Sequence, residues 1–413
     1  MSSIVVLLKT PAFRKLFLAD VFANFGNWFD FTALMVLIAY EWKMGAGMLA
    51  AFAIAQGAPM IVLGPLLSVW VDRLPLRNLM TACMVLRLLI SVAFFFVPNF
   101  YILIVLVFLR CTLASIHFPA RQAVIRQLVP ADQVQEAVSL GQIILYTSQI
   151  VAPALGGALI PVIGVRNIFL LESVMLLLST VFLAMLPNIL RANESKNSSA
   201  SGQNKTAQYF KELSEGLSHI RSNSMLFTSI ILLSVGMLLV VLYDGLLVLW
   251  VKEMGLGESR YGTIVSALGL GSIVGAVLAG IWKGWLKAPM RIMSFTALLA
   301  GLLSAAAGFG TWHLFSLSWV GWTVVFLLFG AFGAAASIPY SYILQTETPQ
   351  HLMGRVSSVS SSSLNAATIF GPGIGAFLAG YWGIGGVFVF SGSLLTLLAL
   401  LIFLFINPRP KQA

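Results

Sequence analysis

The sequence predicts an all-α membrane protein that crosses a bilayer twelve times in two parallel six-helix repeats. Three observations predict it: the composition, the length of the apolar runs and an internal repeat. Hydrophobic residues fill 59% of the 413 positions and charged residues 9%, whereas soluble domains carry about 25% charged residues to keep their surfaces hydrated. An unbonded peptide group is expensive in hydrocarbon, so the apolar runs must fold as helices or as a closed barrel. They are apolar all round and lack the alternation of barrel strands. At about 1.5 Å per residue each reaches across a hydrocarbon core of about 30 Å.

The spans follow in order. The first, near 16–42, comes after Lys9, Arg14 and Lys15 and lacks the short apolar core and cleavage site of a signal peptide, so it is expected to stay in the mature protein. The second, near 47–71, ends where Asp72, Arg73 and Arg77 begin. Spans near 78–98 and 100–118 each hold one arginine, Arg87 and Arg110, and spans near 134–163 and 166–189 hold Pro153 and Glu172. After a polar stretch come spans near 224–250, 260–283, 289–311 and 319–343, then 353–382 and 384–406, which Gly383 separates. The domains expected are therefore 1–189, a linker at 190–222, and 223–413. Within the linker, Tyr209, Phe210, Leu213, Leu217 and Ile220 recur at helical spacing opposite Lys211, Glu212 and Glu215, which predicts an amphipathic helix on the membrane surface or a solvated connector.

The repeat appears on adding 219 to a residue number. Pro130 falls on Pro349, Pro153 on Pro372, Gly156 on Gly375, Gly164 on Gly383 and Phe169 on Phe388. An offset of six helices preserves orientation, so the halves are parallel repeats with a substrate site expected between them and alternating access as the working cycle.

The net charge of +10 could suggest nucleic acid, but its distribution argues for topology instead. Most Lys and Arg residues fall on one side of the spans, and only Lys43, Arg166, Lys252 and Arg260 fall on the other. The positive-inside rule then places both termini in the cytoplasm. Cys83 and Cys111 both lie in apolar spans, and His117, His219, His313 and His351 are scattered without ligand spacing, so neither disulfide, metal nor cofactor is expected. The expected partners are a small-molecule substrate, protons and the lipid bilayer, with no nucleic acid and a monomeric chain.

Two motifs carry a resemblance. Gly64 to Arg77 reads GPLLSVWVDRLPLR, which resembles the G-x-x-x-D-R-x-G-R-K loop of the major facilitator superfamily. Asp72, Arg73 and Arg77 match, whereas Ser68, Pro75 and Leu76 depart from it. The resemblance implies a cytoplasmic gate at these residues, with Asp72 latching onto the start of the eleventh helix near Leu352 to Arg355, since a carboxylate is stabilised at a helix N-terminus. The second half has Ile281-Trp282-Lys283-Gly284 at the equivalent place, without the acid.

Ser148 to Gly157 is similar to the G-x-x-x-G-P-x-x-G-G motif that marks the superfamily's antiporters. Pro153, Gly156 and Gly157 carry it, with Ser148 and Ala152 standing where Gly is usual, and Gly371, Pro372 and Gly375 form a second copy. Small residues admit close backbone approach and proline bends the helix. Asn27-Trp28-Phe29-Asp30, Phe118 to Ala123 after the fourth span, and Phe210 to Arg221 resemble the bacterial macrolide-efflux and enterobactin-exporter-like branch of drug:proton antiporters, which implies a bacterial inner-membrane location.

Charges inside the membrane need a partner, a cavity or a proton. In the first span Asp20, Asn24, Asn27 and Asp30 recur at spacings of 4, 3 and 3, forming one slowly drifting face. Aligning Lys43-Met44-Gly45 with Glu253-Met254-Gly255 sets Asp244 one turn from the equivalent of Asp30. The superfamily lines its cavity with helices 1, 4, 7 and 10, which implies that Asp30, Arg110 and Asp244 face one space. The expectation is that Asp30, with Asp244 as second candidate, binds and releases a proton, because desolvation favours the neutral carboxyl and Arg110 the ionised one. A permanent Asp30–Arg110 ion pair is the alternative. A potential of 100 mV supplies about 2.3 kcal/mol per proton. Arg87 and Glu172 are expected to be structural and away from the cavity. Asn24, Asn27, Trp28, Gln56, Tyr146, Tyr243 and Asn365 are candidate substrate contacts.

No G-x-x-x-x-G-K-[ST] loop occurs, which argues against an ATP-driven pump, and no paired constellation suggests an enzyme. The function expected is proton-coupled export of an amphiphilic or hydrophobic small molecule, such as a drug-like compound, an antibiotic or a siderophore. A lipid or lysolipid flippase, solute uptake and a non-transporting receptor of the same fold stay open.

Overall fold

The computed structural model describes residues 7–63, 75–130, 133–187 and 217–405. All regular elements among them are helices: α1 (Pro11–Val36, continued by a π-helical turn Leu37–Glu41), α2 (Ala46–Ala58, continued to Leu63), α3 (Leu76–Phe96), α4 (Phe100–Leu128), α5 (Val134–Ile163) and α6 (Val165–Ala184). After residue 217 come α7 (Ser224–Asp244, followed by a short helix Leu247–Glu253), α8 (Glu258–Ile281), α9 (Pro289–Thr311) and α10 (Trp319–Thr346). The stretch Met353–Phe405 is broken by Gly383 at φ 71°, ψ 174° into α11 (353–382) and α12 (384–405). Among the described residues ten helical stretches are long and apolar enough to cross a membrane, the last of them being this broken pair, and Ala46–Ala58 is a shorter apolar helix. The fold is the multi-pass α-helical one that the sequence predicts.

Local chemistry sets the ends. Pro11 and Pro289 open α1 and α9, where a missing N–H is harmless. The Asn99, Asn223 and Ser318 side chains accept hydrogen bonds from the first free N–H groups of α4, α7 and α10. Asn223 serves twice, because its Nδ2 also donates to Glu347 Oε2 at 2.8 Å. Replacing Asn223 with alanine is expected to lower stability by about 1–2 kcal/mol, and Asn223→Ser, which keeps the cap and loses the donor to Glu347 without adding a charge, by less.

The chain forms two compact units, Met1–Glu194 with Gly255–Ser266, and Ser195–Met254 with Ala267–Ala413. α8 therefore begins in the first unit. Its first turns meet α5 without side chains between them, since a Cβ on Gly262 would overlap the Pro153 carbonyl oxygen.

Each unit repeats one internal pattern. In the first, α1 packs on α5 and α6, and α3 on α4 and α6; in the second, α7 packs on the α11–α12 stretch, and α9 on that stretch and on α10. The repeat offset is visible inside this pattern. Gly164 and Gly383, both at positive φ, make the same turn between consecutive helices, and Phe169 and Phe388 beyond them are both fully buried.

Two differences from the expected spans have physical causes. α4 does not end near 118 but runs through Pro119 to Leu128, because Ala120, Val124 and Ile125 continue an apolar face buried against α1, α3 and α5. Phe118 to Ala123 is thus inside a helix, not after one. The seventh span breaks at Gly245, so Asp244 ends α7. The predicted amphipathic helix lies outside the described residues up to 216; Ile220, beyond that point, is buried.

Candidate functional site

The polar stripe of α1 is the foundation of the site, and each of its members finds a different use. Asp20 receives Arg121 of α4, with Nε at 2.8 Å and Nη2 at 2.6 Å from Oδ2. Asn24 Nδ2 donates to the Asp20 carbonyl at 2.8 Å, one turn back. Asn27 Oδ1 accepts from Arg87 Nη2 of α3 at 3.3 Å. Asp30, 0% exposed, forms an ion pair with Arg110 Nη1 of α4. Arg110 and Arg121 are eleven residues apart, close to three helical turns, so one face of α4 carries both cations toward α1.

Arg110 faces a second carboxylate. Its Nη1 lies 3.8 Å from Glu172 Oε1 on α6. Glu172 is also 0% exposed, and the Ser91 hydroxyl of α3 donates to its Oε2 at 2.6 Å. Gly26 of α1 faces Glu172, where a Cβ would stand 3.4 Å from the glutamate Cγ, an ordinary van der Waals contact. The Arg110 guanidinium lies 5.7 Å from the centre of the Phe94 ring, a cation–π contact. One guanidinium nitrogen thus stands close to two buried carboxylates on different helices.

The expectation that Arg87 stands apart from a cavity needs correction, whereas Glu172 is not among the residues lining the two cavities of this unit. Arg87 lines a polar cavity of about 370 Å³ together with Asp20, Asn24, Asn27, His117 and Arg121. A neighbouring cavity of about 440 Å³ is lined by Trp28, Phe31, Gln56, Met60 and Arg110. Both volumes suit a small ligand. Helical spacing shows which residues share a face of their own helix, but not which neighbouring helix that face meets, so it does not place Arg87 beside the polar stripe of α1. The ten-residue step from Asp20 to Asp30, set against the eleven-residue step from Arg110 to Arg121, is the sequence signal that could have paired α1 with α4.

The other predicted positions scatter. Asp244 is exposed at the end of α7. Tyr243 is buried in the second unit, stacked on Phe388 with ring centroids 4.4 Å apart, so it is part of a core. Tyr146 and Asn365 are exposed on α5 and α11. Asp72 and Arg73 lie outside the described residues. Arg77 donates from Nη1 to the Leu186 carbonyl at 3.3 Å, and Lys15 Nζ to that of Met185 at 2.9 Å, so two cations hold the carbonyl end of α6.

The antiporter-like motif sits at helix contacts in both copies. Ala152 and Pro153 are buried; Gly156 faces Phe29 and Thr32 of α1, and Gly157 faces Ser259 and Gly262 of α8. In the second copy, Gly371 faces Val241 and Gly375 the Leu242 carbonyl oxygen, both on α7, and Pro372 lies within α11.

Residues 16–366 match the Major Facilitator Superfamily. The chain is 26% identical to the MFS-type transporter YfiS of Bacillus subtilis (strain 168), over 95% of this chain and 94% of that one. It is 24% identical to macrolide efflux protein A of Streptococcus pyogenes, over 87% of each chain. It is 28% identical to the enterobactin exporter EntS of Salmonella typhimurium, over 34% of this chain and 30% of the exporter. Among solved structures, the nucleoside transporter NupG superposes with a TM-score of 0.72 at 12% identity, covering 94% of this chain and 98% of that one. A bacterial homologue of the iron transporter ferroportin in an inward-facing state gives 0.70 at 16% identity, covering 96% and 99%. The structural likenesses concern the fold alone.

Proposed function

This chain belongs to the major facilitator superfamily and is a multi-pass membrane transporter rather than an enzyme, and from that premise we propose that it exports an amphiphilic or hydrophobic small molecule in exchange for protons. The observation that carries this reading is the buried cluster in which Arg110 faces both Asp30 and Glu172, beside cavities with polar and aromatic walls. Ions enclosed in the hydrocarbon region mark transport pathways and proton relays. In the proposed cycle Arg110 neutralises Asp30 while the carboxylate is ionised; when the guanidinium swings toward Glu172, Asp30 takes up a proton. Asp244 is the second candidate carrier. Export is supported by the paired proline and glycine motif of α5 and α11, and by the efflux protein and exporter among the relatives. The orientation proposed is both termini in the cytoplasm of a bacterial inner membrane, with a monomer as the working unit.

The test uses purified full-length chain in proteoliposomes with a pH-sensitive dye inside. Amphiphiles from a chemically mixed panel, including a basic macrolide, an aromatic acid and a lysolipid, are added under an imposed pH gradient. The wild type is expected to dissipate the gradient with its substrate and Asp30→Asn to lose that coupling, with a smaller loss for Asp244→Asn. Undiminished coupling in both variants contradicts the reading.

A further inference from the structure

Arg87 has no place in the proton cycle, yet it is a guanidinium only 6% exposed in the interior of the first unit. Among the described residues no carboxylate lies within ion-pair distance of it. Asp30 is held by Arg110, Asp20 by Arg121, and Glu172 by the Ser91 hydroxyl with Arg110 at 3.8 Å. What Arg87 does contact is weak. Nη2 reaches Asn27 Oδ1 at 3.3 Å, Nη1 reaches Met84 Sδ at 4.0 Å, and Nε has no hydrogen-bond partner among the described residues. A planar fork of five donors is therefore buried with most of its capacity unused, a costly arrangement unless an acceptor of matching shape arrives.

The polar cavity of about 370 Å³ is where such an acceptor would enter. His117, 8% exposed, lines the same cavity and also has an unpartnered ring nitrogen, Nε2. Asn24, Asn27, Gln122 and Gln142 complete the polar wall together with the Asp20 carboxylate, which Arg121 pairs at 2.6 Å. Asn27 and Phe118 also border the second cavity, where Trp28 and Phe31 meet edge to face with centroids 5.5 Å apart. Polar and aromatic compartments thus adjoin within one unit, each large enough for one part of an amphiphile.

We propose that the polar cavity seats an acidic group, a carboxylate or a similar oxyanion, of the transported molecule, with Arg87 binding it through two nitrogens and His117 contributing a further contact. The apolar body lies against Trp28 and Phe31. A guanidinium selects planar oxyanions by two parallel hydrogen bonds, whereas an ammonium group in the same seat faces repulsion. The proposal deepens the transport reading and rests on it only for the word transported; the binding site stands on its own geometry.

The probes are 1-naphthylacetate, its neutral amide and 1-naphthylmethylamine, which share one ring system and differ in the head group. Their affinities are read by calorimetry on the full-length chain in lipid nanodiscs. The acid is expected to bind about tenfold more tightly than the other two. Arg87→Gln is expected to bring acid and amide within about twofold of each other, and Arg87→Lys to retain part of the preference. The wild-type comparison needs no variant, so a failure of Arg87→Gln to fold does not remove the test. Equal binding of the three probes, no binding of the acid, or an acid preference that survives in folded Arg87→Gln overturns the proposal. Acid preference without proton-driven flux in proteoliposomes supports the site and overturns the transport reading. Flux without acid preference overturns the site alone.

Discussion

Replacing Arg110 with glutamine is expected to destabilise the protein by about 3–5 kcal/mol, the cost of leaving a buried counter-charge without its partner. Two carboxylates depend on this one side chain. Asp30 and Glu172 are both fully buried, and the Nη1 atom that pairs with the first lies 3.8 Å from the second. The remaining neighbours compensate only in part: Ser91 offers Glu172 one hydroxyl, and the Arg87 charge acts on Glu172 from beyond ion-pair distance. The double variant Arg110→Gln with Asp30→Asn removes one charge of each sign and is expected to recover more than half of the loss. Unfolding of the reconstituted wild type, both single variants and the double variant gives the coupling energy directly. A melting temperature unchanged in Arg110→Gln would show that the cluster is not paired as described.

The second large effect separates two glycines that occupy the same place in the repeat. At Gly375 an added Cβ would overlap the Leu242 carbonyl oxygen of α7, which is backbone and cannot move without displacing a helix. At Gly156 the nearest atom is the Phe29 ring edge at 3.3 Å, which can give way by a few tenths of an ångström. Gly375→Ala is therefore expected to cost about 1–3 kcal/mol and Gly156→Ala well below that, although sequence equivalence alone makes them alike. Thermal denaturation of the two variants side by side decides it. Equal costs would mean that the α7–α11 contact is looser than its geometry indicates.

Much of the fold was legible because hydrocarbon leaves a chain few choices. Apolar length marked the spans, and the glycine and proline offset marked the repeat, which returns as matching turns at Gly164 and Gly383 and matching buried rings at Phe169 and Phe388. The continuation of α4 past Pro119 was not legible, since the proline suggested an end and only packing against three neighbouring helices keeps the helix going. Half of the site was legible for a similar reason. Asp30 and Arg110 announced themselves as intramembrane charges, and the structure makes them a pair. Glu172 and Arg87 were equally visible as charges, but their roles depend on which helices meet, and a single sequence does not carry that.

The central claim is that a proton and the substrate exchange at the Asp30–Arg110 pair. Its most direct test is the proton count on binding. An amphiphile that raises the melting temperature is titrated into the detergent-solubilised chain in unbuffered solution, and the pH change is recorded. The wild type is expected to release about one proton per bound molecule, and Asp30→Asn none while binding the same ligand. Equal release from both would place the proton elsewhere and contradict the claim.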